Sequence, residues 1–387
     1  MIKERLPNAL NLVWLYTASI TSEDLVMTKR VYNFYAGPAT LPLPVLKKAQ
    51  EELLDFHGTG MSILEISHRS KEYDAVHKKA SELLRELMGI PSEYKILWLQ
   101  GGASTQFFMA PLNLQQSGKP MEYVHTGSWA KKAIKEANLY GDVKIVASSE
   151  DQKFTYIPNN VTFSQNAAFA HITGNETIGG IEWQEWPIVS SEVPLVCDMS
   201  SNFIDKVIDV KKFGLIYAGA QKNLGPAGVT VIIVREDLVN RVPENTPTML
   251  KYKTHVEKDS LYNTGPCFSI YLCELVLEYL KNLGGVPAME KQNRKKAKML
   301  YEIIDKSNGF YRGVAQPESR SLMNVTFNLA TPELEVKCID EAKKKGLIGL
   351  KGHRSVGGMR ASIYNAMSLD GTEALCKFLK EFQEQNQ

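Results

Sequence analysis

The sequence contains little that would cross-link the chain or hold a metal. Its 387 residues include five cysteines, an odd number without a C-x-x-C pair, which excludes a disulfide framework and a structural zinc site of that type. The histidines lack the spacing of metal ligands, so no metal is predicted. The cysteines are interpreted as buried or inert thiols of a reducing compartment: Cys197, Cys267, Cys273, Cys338 and Cys376.

Charge of one sign is also lacking. The 45 Lys and Arg residues nearly balance the 43 Asp and Glu residues, and the net charge of +2 gives no field that would attract nucleic acid or an anionic membrane. Neither is predicted as a partner. With 44% hydrophobic and 23% charged residues and no repeat or low-complexity segment, the composition predicts a globular protein long enough for two domains.

An N-terminal stretch resembles a targeting signal. Lys3 and Arg5 precede an apolar run from Ala9 to Ile20, as in a signal peptide. The run is too short to span a bilayer, it contains Asn11, and it lacks a clean A-x-A cleavage site. We therefore predict a dispensable extension over residues 1–27 and a cytoplasmic protein, with a functional export signal as the alternative.

Helical and strand patterns alternate from Leu43 onward, which is typical of a mostly parallel sheet with helices on both faces. We predict a large α/β domain over residues 43–285 and a smaller α+β domain over residues 286–387. The predicted helices are Leu43–Phe56, Lys71–Met88, Ser104–Leu114, Trp129–Tyr140, Phe268–Leu283, Met289–Asp305, Pro332–Lys345 and Thr372–Gln383. The predicted strands are Ile96–Leu99, Val143–Ala147, Ala167–Ile172, Leu195–Cys197, Leu215–Ala218, Val229–Val234, Leu322–Leu329 and Met359–Tyr364.

Some conspicuous residues are interpreted as structural. Trp98 and the aromatic stretch Tyr271–Tyr279 are assigned to the core, because large aromatic side chains dominate interiors. The charged runs Arg294–Lys296 and Lys343–Lys345 are interpreted as solvated helix faces.

A lysine in a Gly/Pro-rich turn is the main candidate for chemistry. Lys222 lies between the apolar runs 215–218 and 229–234, so its turn should be held against the sheet. Partial desolvation would favour the neutral amine that a Schiff base needs. The alternative is an ordinary surface lysine.

An acidic residue at a strand end complements this lysine. Asp198 follows the buried strand Leu195–Cys197, and ligands of open α/β sheets bind at the carboxyl ends of strands. Alone, Asp198 would be interpreted as a helix cap or a turn residue. Its pairing with Lys222 favours a pyridoxal cofactor, which needs a carboxylate at its pyridine nitrogen and a separate lysine at its aldehyde carbon.

The segment 97–105 runs from a strand through Gly101 and Gly102 into a predicted helix. Small residues and the unpaired N–H groups of a helix N-terminus suit a phosphate, although a Gly-Gly pair is also typical of a tight turn. The segment lacks both G-x-G-x-x-G and G-K-[ST], which argues against a dinucleotide or ATP site.

These features occur within motifs that resemble those of the phosphoserine aminotransferases, class V enzymes of fold-type I that use pyridoxal 5'-phosphate. The resemblance extends from about Val31 to the C-terminus. The matching strings are N-F-Y-A-G-P-A at 33–39, I-S-H-R-S at 66–70, Q-G-G-A-S at 100–104, G-S-W at 127–129, G-N-E-T-I-G-G at 174–180, D-M-S-S-N at 198–202, A-Q-K-N-L-G-P-A-G at 220–228, Y-N-T at 262–264 and K-G-H-R-S-V-G-G-M-R-A-S-I-Y-N-A-M at 351–367.

The resemblance implies a fold and a set of cofactor contacts. The fold would be a large domain with a seven-stranded, mostly parallel sheet and a small C-terminal domain against which residues 28–42 pack. Lys222 would carry the cofactor as a Schiff base, Asp198 would pair with the pyridine nitrogen, and Trp129 would stack on the ring. Thr177 would donate to the phenolic oxygen. The implied phosphate contacts are Ala103, Ser104, Gln221, Asn263 and Thr264, the last two reaching the neighbouring subunit of a homodimer.

Two positions depart from the family's pattern. Ala36 stands where Ser is frequent, which removes a side-chain contact to the amino donor. Ser104 stands where some relatives carry Arg, which removes one candidate contact to the phosphate.

Two His-Arg pairs and a further arginine predict an anion site. His68 and Arg69 lie in one loop, His353 and Arg354 in another, and Arg360 follows six residues after Arg354. Loops commonly present binding side chains, and guanidinium groups suit carboxylate and phosphate oxygens. The resemblance assigns Arg360 to the α-carboxylate of the substrate and the two His-Arg pairs to its distal anion.

The predicted reaction transfers the amino group of L-glutamate to 3-phosphohydroxypyruvate, which gives 2-oxoglutarate and O-phospho-L-serine in serine biosynthesis. Activity on the phosphohydroxythreonine of vitamin B6 synthesis stays open. The rivals are another class V enzyme, such as an alanine–glyoxylate aminotransferase or a cysteine desulfurase, and a non-catalytic protein of this fold. The clustered His-Arg pairs argue against an alanine–glyoxylate aminotransferase. The lack of a cysteine in a recognisable mobile loop argues against a cysteine desulfurase. A non-catalytic protein would not need Lys222, Asp198 and Trp129 together.

Overall fold

Strands and helices alternate over most of the chain. The computed structural model describes residues 30–387, so the predicted extension over residues 1–27 lies outside the described residues. The strands are β1 (Tyr32–Asn33), β2 (Tyr94–Leu99), β3 (Met121–His125), β4 (Val143–Ser148), β5 (Phe169–Thr173), β6 (Asn175–Glu176), β7 (Ile181–Glu182), β8 (Leu195–Asp198), β9 (Leu215–Gly219), β10 (Thr230–Arg235), β11 (Arg312–Gly313), β12 (Asn324–Asn328), β13 (Leu347–Ile348) and β14 (Met359–Ser362). The helices are α1 (Leu43–Glu51), α2 (Lys71–Met88), α3 (Gly102–Leu114), α4 (Ser128–Ala137), α5 (Tyr252–Glu257), α6 (Cys267–Asn282), α7 (Gly285–Asp305), α8 (Pro332–Lys344) and α9 (Leu369–Asn386).

The main sheet has seven strands in the order β2-β10-β9-β8-β5-β3-β4. Neighbouring strands from β9 to β4 pair in parallel. Strand β10 is antiparallel to both of its neighbours, β2 and β9. The predicted α/β class with a seven-stranded, mostly parallel sheet is therefore confirmed.

Both faces of this sheet are buried. Along β2, Leu97 and Leu99 belong to one hydrophobic cluster, whereas Ile96 and Trp98 belong to another. Because successive side chains of a strand point to opposite faces, the two clusters lie on opposite faces of the sheet. This two-sided burial explains why the strands are continuous apolar runs in the sequence. It also confirms that Trp98 is a core residue.

A third cluster lies in the C-terminal part of the chain, around residues 297–382. The three-stranded sheet β11-β12-β14 and helices α7, α8 and α9 belong to this part. Phe34 joins the cluster, and β1 pairs in parallel with β13. The predicted boundary at residues 285 and 286 falls at the start of α7, and the division into two domains stays a prediction.

Helix boundaries agree with the sequence where a local signal marks them. Helix α2 has its predicted bounds because the Ser70 side chain accepts from the Tyr73 N–H and Gly89 ends the helix in the left-handed conformation. Helix α1 ends at Glu51, five residues before the predicted end, and Phe56 belongs to a separate short turn in which His57 has a φ of 53°. Helix α7 begins at Gly285 instead of Met289, since Pro287 is compatible with a first helical turn.

The interpretation of Arg294–Lys296 as a solvated face is wrong for Lys296. Arg294 and Lys295 are exposed, but Lys296 is fully buried. Residues three and four apart share one face of a helix, and Asn293, Ala297 and Leu300 place Lys296 on the buried face of α7. The run Lys343–Lys345, by contrast, is exposed as predicted.

Among residues 30–387, no helix combines the length and the hydropathy needed to cross a membrane. The same part of the chain contains no cluster of His, Cys, Asp and Glu residues suited to a metal ion. Its five cysteines are all free thiols, and four of them are buried.

Candidate active site

A cavity of about 520 Å³, named here the Lys222 cavity, opens at the carboxyl ends of the central strands. It lies where open α/β sheets bind their ligands. The predicted site residues that line it are Ala103, Ser104, Trp129, Thr177, Asp198, Gln221, Lys222, His353 and Arg360. Ala36, one of the departures from the family pattern, lines it as well.

Lys222 lies in the turn between β9 and β10 and is half-buried. Its Nζ donates a hydrogen bond of 2.7 Å to the Thr177 hydroxyl and lies 5.4 Å from the centre of the Trp129 ring. Burial lowers the pKa of the Lys222 amine to about 8, although nearby carboxylates oppose this shift. A neutral, nucleophilic amine is therefore accessible near neutral pH.

Asp198 is the last residue of β8, and its side chain is buried. Its Oδ1 accepts a hydrogen bond of 2.9 Å from the Ser200 N–H, which orients the carboxyl group. Burial raises the pKa of Asp198, whereas the Ser200 hydrogen bonds and the charge of Lys222 oppose that rise. A cationic N–H group placed in the cavity would favour the ionised carboxylate further.

The N-terminus of α3 faces the same cavity. Its N-cap residue is Gly101, which has no side chain to cap the helix, so the first N–H groups of α3 are available to a ligand. Gly101 precedes the helix with a φ of 95°, and a Cβ atom there would lie 1.8 Å from the Thr105 hydroxyl. A glycine is therefore required at position 101, both because of the backbone conformation and because a side chain would not fit.

Helix α4 is capped by a residue that the sequence analysis missed. The Glu176 carboxylate accepts hydrogen bonds from the N–H groups of Trp129 (3.1 Å) and Ala130 (2.9 Å). Burial raises the pKa of Glu176 to about 7. Gly127 lets the carboxylate approach, since a Cβ atom there would lie 2.6 Å from Glu176 Cδ. Glu176 belongs to the motif at 174–180, but no local pattern connects it to a helix 46 residues away.

Arg360 and His353 form a basic wall of the Lys222 cavity. Arg360 Nη1 donates to the Thr177 carbonyl oxygen at 3.4 Å, and its buried Nε has no partner in the described chain. His353 Nδ1 and Ser355 Oγ are joined by a hydrogen bond of 2.7 Å. Burial and the charges of Arg360 and Arg354 lower the pKa of His353. Arg354 itself is exposed and does not line the cavity.

The remaining predicted residues form a second set, named here the loop group: His68, Arg69, Asn263 and Thr264. The Thr264 hydroxyl and His68 Nδ1 are 3.1 Å apart and hydrogen-bonded, so two loops far apart in sequence meet. Arg69 and Thr264 are exposed. None of the four lines the Lys222 cavity of the described chain.

The residues of the Lys222 cavity fit pyridoxal phosphate. The cofactor requires an amine, a carboxylate for its ring nitrogen and donors for its phosphate, and these correspond to Lys222, Asp198 and the open end of α3. The indole Nε1 of Trp129 is buried without a partner among residues 30–387, which leaves one further donor for a bound group. The role of each residue stays a prediction.

Comparisons with known proteins agree with this chemistry. The family model for class-V aminotransferases matches residues 31–375. A phosphoserine aminotransferase of Geobacillus kaustophilus is 56% identical over 357 residues, which cover 92% of this chain and 99% of that protein. The solved structure of phosphoserine aminotransferase from Bacillus circulans subsp. alkalophilus superposes with a TM-score of 0.91 at 51% identity, covering 93% of this chain and 100% of that one.

A solved structure of phosphoserine aminotransferase from Trichomonas vaginalis, described as bound to PLP, superposes with a TM-score of 0.86 at 38% identity and covers 91% of this chain and 100% of that one. The family match and these relatives extend over nearly all of the described residues. The chain therefore belongs to the class-V aminotransferases and, within them, to the phosphoserine aminotransferase family of pyridoxal-phosphate-dependent transaminases.

Proposed function

We propose that the protein transfers the amino group of L-glutamate to 3-phosphohydroxypyruvate, forming 2-oxoglutarate and O-phospho-L-serine, as a cytoplasmic homodimer. The observation that carries this proposal is the convergence of Lys222, Asp198 and Arg360 on one cavity, in a chain 56% identical to a protein named phosphoserine aminotransferase. The reaction would be a step of serine biosynthesis. Activity on phosphohydroxythreonine stays open.

The cavity residues hold the cofactor in this proposal. Bound pyridoxal phosphate supplies an electron-withdrawing ring that stabilises negative charge at the substrate Cα. The Asp198 carboxylate would bind the pyridine N–H, the Trp129 ring would cover one face, and the first N–H groups of α3, together with Gln221, would hold the phosphate. Thr177 would donate to the phenolic oxygen.

Lys222 is the residue that moves the proton. Its amine has a pKa of about 8, so near neutral pH it can both accept and return a proton. With substrate bound, Nζ would act as the base that removes the proton from Cα of glutamate and, in the second half-reaction, as the acid that protonates Cα of the keto acid. The Thr177 hydroxyl, 2.7 Å from Nζ, keeps the amine inside the cavity.

Arg360 and the His-Arg pairs select substrates with two anionic ends. Arg360 would bind the α-carboxylate through its guanidinium group, whose buried Nε has no partner among the described residues. His353 lies on the same wall and would bind the distal carboxylate of glutamate or the phosphoryl group, with Arg354 nearby. His68 and Arg69 do not line this cavity, which supports a dimer in which they serve the partner's site.

Half-reactions of the cofactor-loaded protein test the proposal. L-Glutamate should abolish the near-visible absorption band of the bound cofactor and release 2-oxoglutarate. Subsequent 3-phosphohydroxypyruvate should restore the band and release phosphoserine. L-Alanine and glyoxylate form the matched pair for the rival class V activity. Turnover with that pair, and none with glutamate and 3-phosphohydroxypyruvate, would contradict the proposed function.

A further inference from the structure

A buried lysine outside the Lys222 cavity holds a turn of the C-terminal region. Lys296 lies on α7 with no exposed surface. Its Nζ donates three hydrogen bonds to carbonyl oxygens, those of Ile363 (2.9 Å), Tyr364 (2.8 Å) and Met367 (3.0 Å). The three donors of an ammonium group are thereby all used. The turn over residues 363–367, between β14 and α9, closes around this one cation.

An ionisable side chain is unusual at a fully buried position such as that of Lys296. Removing an ammonium from water is costly even when its hydrogen bonds are made. Burial lowers the pKa of Lys296 to about 7, whereas the three carbonyl acceptors favour the charged form, because a neutral amine has only two N–H donors. A Leu or Met side chain would fill the space without that cost. What it could not provide are three directional bonds to converging carbonyl groups, which would be left without donors. The lysine is therefore suited to fixing the shape of the 363–367 turn.

The 363–367 turn contacts the Lys222 cavity at two points. The Tyr364 hydroxyl donates to the Ala36 carbonyl oxygen at 2.7 Å, and Ala36 lines the cavity. The Asn365 N–H donates to Asn223 Oδ1 at 3.0 Å, and Asn223 directly follows Lys222. A displacement of the turn would therefore reach both a wall of the cavity and the backbone that carries the reactive amine.

A second residue of α7 supports the same turn. Asn293 lies three positions before Lys296 and therefore on the same helix face. Its Nδ2 donates to Asn365 Oδ1 (2.8 Å) and to the Asp205 carbonyl oxygen (2.9 Å). Asn365 Nδ2 in turn donates to the Ile204 carbonyl oxygen at 3.0 Å. The buried face of α7 thus holds the two ends of the turn through Lys296 and its centre through Asn293.

We propose that Lys296 is a positioning residue of the active site: its ammonium holds the 363–367 turn so that Tyr364 fixes the Ala36 wall and Asn365 fixes the Lys222 turn. The reactive amine then sits at the geometry that proton transfer needs, and small displacements there are costly. This inference rests on the proposed function in one respect, since it assigns Lys222 as the reactive amine.

The test compares Lys296→Met with Lys298→Met, a change on the same helix at a side chain that is 77% exposed and pairs with Glu302 at 3.8 Å. Each cofactor-loaded variant is titrated by pH through its near-visible absorption, and cofactor affinity, kcat and KM are measured below the melting temperature.

Lys296→Met should shift the absorption titration by about half a pH unit or more, which corresponds to a change of ~0.7 kcal/mol in the protonation of the Lys222 nitrogen. It should lower kcat about tenfold, or ~1.4 kcal/mol, with a smaller change in KM. Lys298→Met should match the wild type.

Tyr364→Phe provides a second route to the same result. It removes the bond to Ala36 and the one that the hydroxyl accepts from Asn324 Nδ2 at 3.2 Å, and it leaves the three bonds of Lys296 in place. The titration should therefore shift in the same direction by less. In the double variant the two shifts should be less than additive, because both act through one turn. If Lys296→Met does not fold, an unchanged titration in Tyr364→Phe overturns the proposal.

A purely structural lysine gives a different pattern. Lys296→Met would then melt at a lower temperature but keep the wild-type absorption titration, cofactor affinity and kcat, and the proposal would be wrong. The titration needs no substrate. It therefore decides the role of Lys296 even if the wild type fails to convert glutamate and 3-phosphohydroxypyruvate, in which case only the proposed function fails.

Discussion

The Lys222 cavity and the loop group differ in how their side chains are held. In the cavity, Asp198 ends a central strand and Lys222 follows another. Asp198 is buried and Lys222 half-buried, and each is oriented by a short hydrogen bond. In the loop group, His68 and Thr264 bond to each other, while Arg69 is exposed at the start of a helix. One region is enclosed by its own chain, and the other faces outward.

The difference corresponds to two kinds of task. Proton transfer needs pKa values that depart from those in water, and burial provides them. Anion binding needs accessible, charged side chains, and loops provide those. In the proposed function, one chain would contain all of the proton-transfer residues but only part of the anion-binding residues. The following three experiments test that division.

The largest effect is expected from breaking each region in a different subunit. Lys222→Ala and Arg69→Ala homodimers should both lack transaminase activity. Unfolded together and reassembled, they should regain about a quarter of wild-type activity, because half of the dimers are mixed and each mixed dimer has one intact site.

Two controls make this experiment decisive. Each variant reassembled alone must stay inactive, and subunit exchange must be shown with differently tagged chains. No recovery despite proven exchange would mean that Arg69 serves the cavity of its own chain or serves none, and the contrast between the two regions would then fail.

The second-largest loss of activity is expected from the substitution of Asp198. Asp198→Asn retains the size of the side chain and removes its charge, so kcat should fall by about two orders of magnitude, as is common when one preorganised electrostatic partner is lost. Cofactor affinity, measured by equilibrium dialysis, should change much less, because the loss acts mainly on the stage at which charge enters the ring. An unchanged kcat would contradict the proposed role of Asp198 and favour its interpretation as a turn residue.

The smallest effect is a pH dependence. Burial lowers the pKa of Lys222 to about 8. The cofactor-free protein should therefore link covalently to pyridoxal phosphate faster as the pH rises, with a half-maximal rate near that pKa and a plateau about one to two pH units above it. An exposed lysine, with a pKa near ~10.4, would show no plateau before that pH. Stopped-flow absorbance measures the rate, and Lys222→Ala gives the background of other lysines. A rate that still increases at pH 10 would show that the amine is solvated.

The fold was predictable wherever a segment carries its own signal. Helix α2 has a capping serine before it and a glycine after it, and its predicted bounds were correct. Most strands of the main sheet were predicted because burial on both faces makes them continuous apolar runs. Strand β3 was missed, because Glu122 and His125 interrupt its apolar run. The reversed direction of β10 was not predicted, since an apolar run has the same pattern in both directions.

The candidate site, like the fold, was predictable only where a local motif marks its residues. Lys222 and Asp198 follow strands within recognisable motifs, and the structure brings them to one cavity. Glu176 and Lys296 were missed or misinterpreted because their partners lie 46 to 71 residues away along the chain. A carboxylate on a distant helix end and an ammonium among distant carbonyl groups leave no trace in local spacing. The roles of the site residues remain predictions that the experiments above address.

The capping of α4 by Glu176 also has a consequence for how a ligand is oriented. Helices α3 and α4 begin within reach of the same cavity, and two polarised helix ends would attract an anion equally well. Glu176 already occupies the N–H groups at the start of α4, whereas α3 has no side-chain cap. An asymmetric ligand with one phosphate therefore meets a single open helix end. The backbone alone therefore determines at which end of the cavity the phosphate binds, independently of the side chains that contact the rest of the ligand.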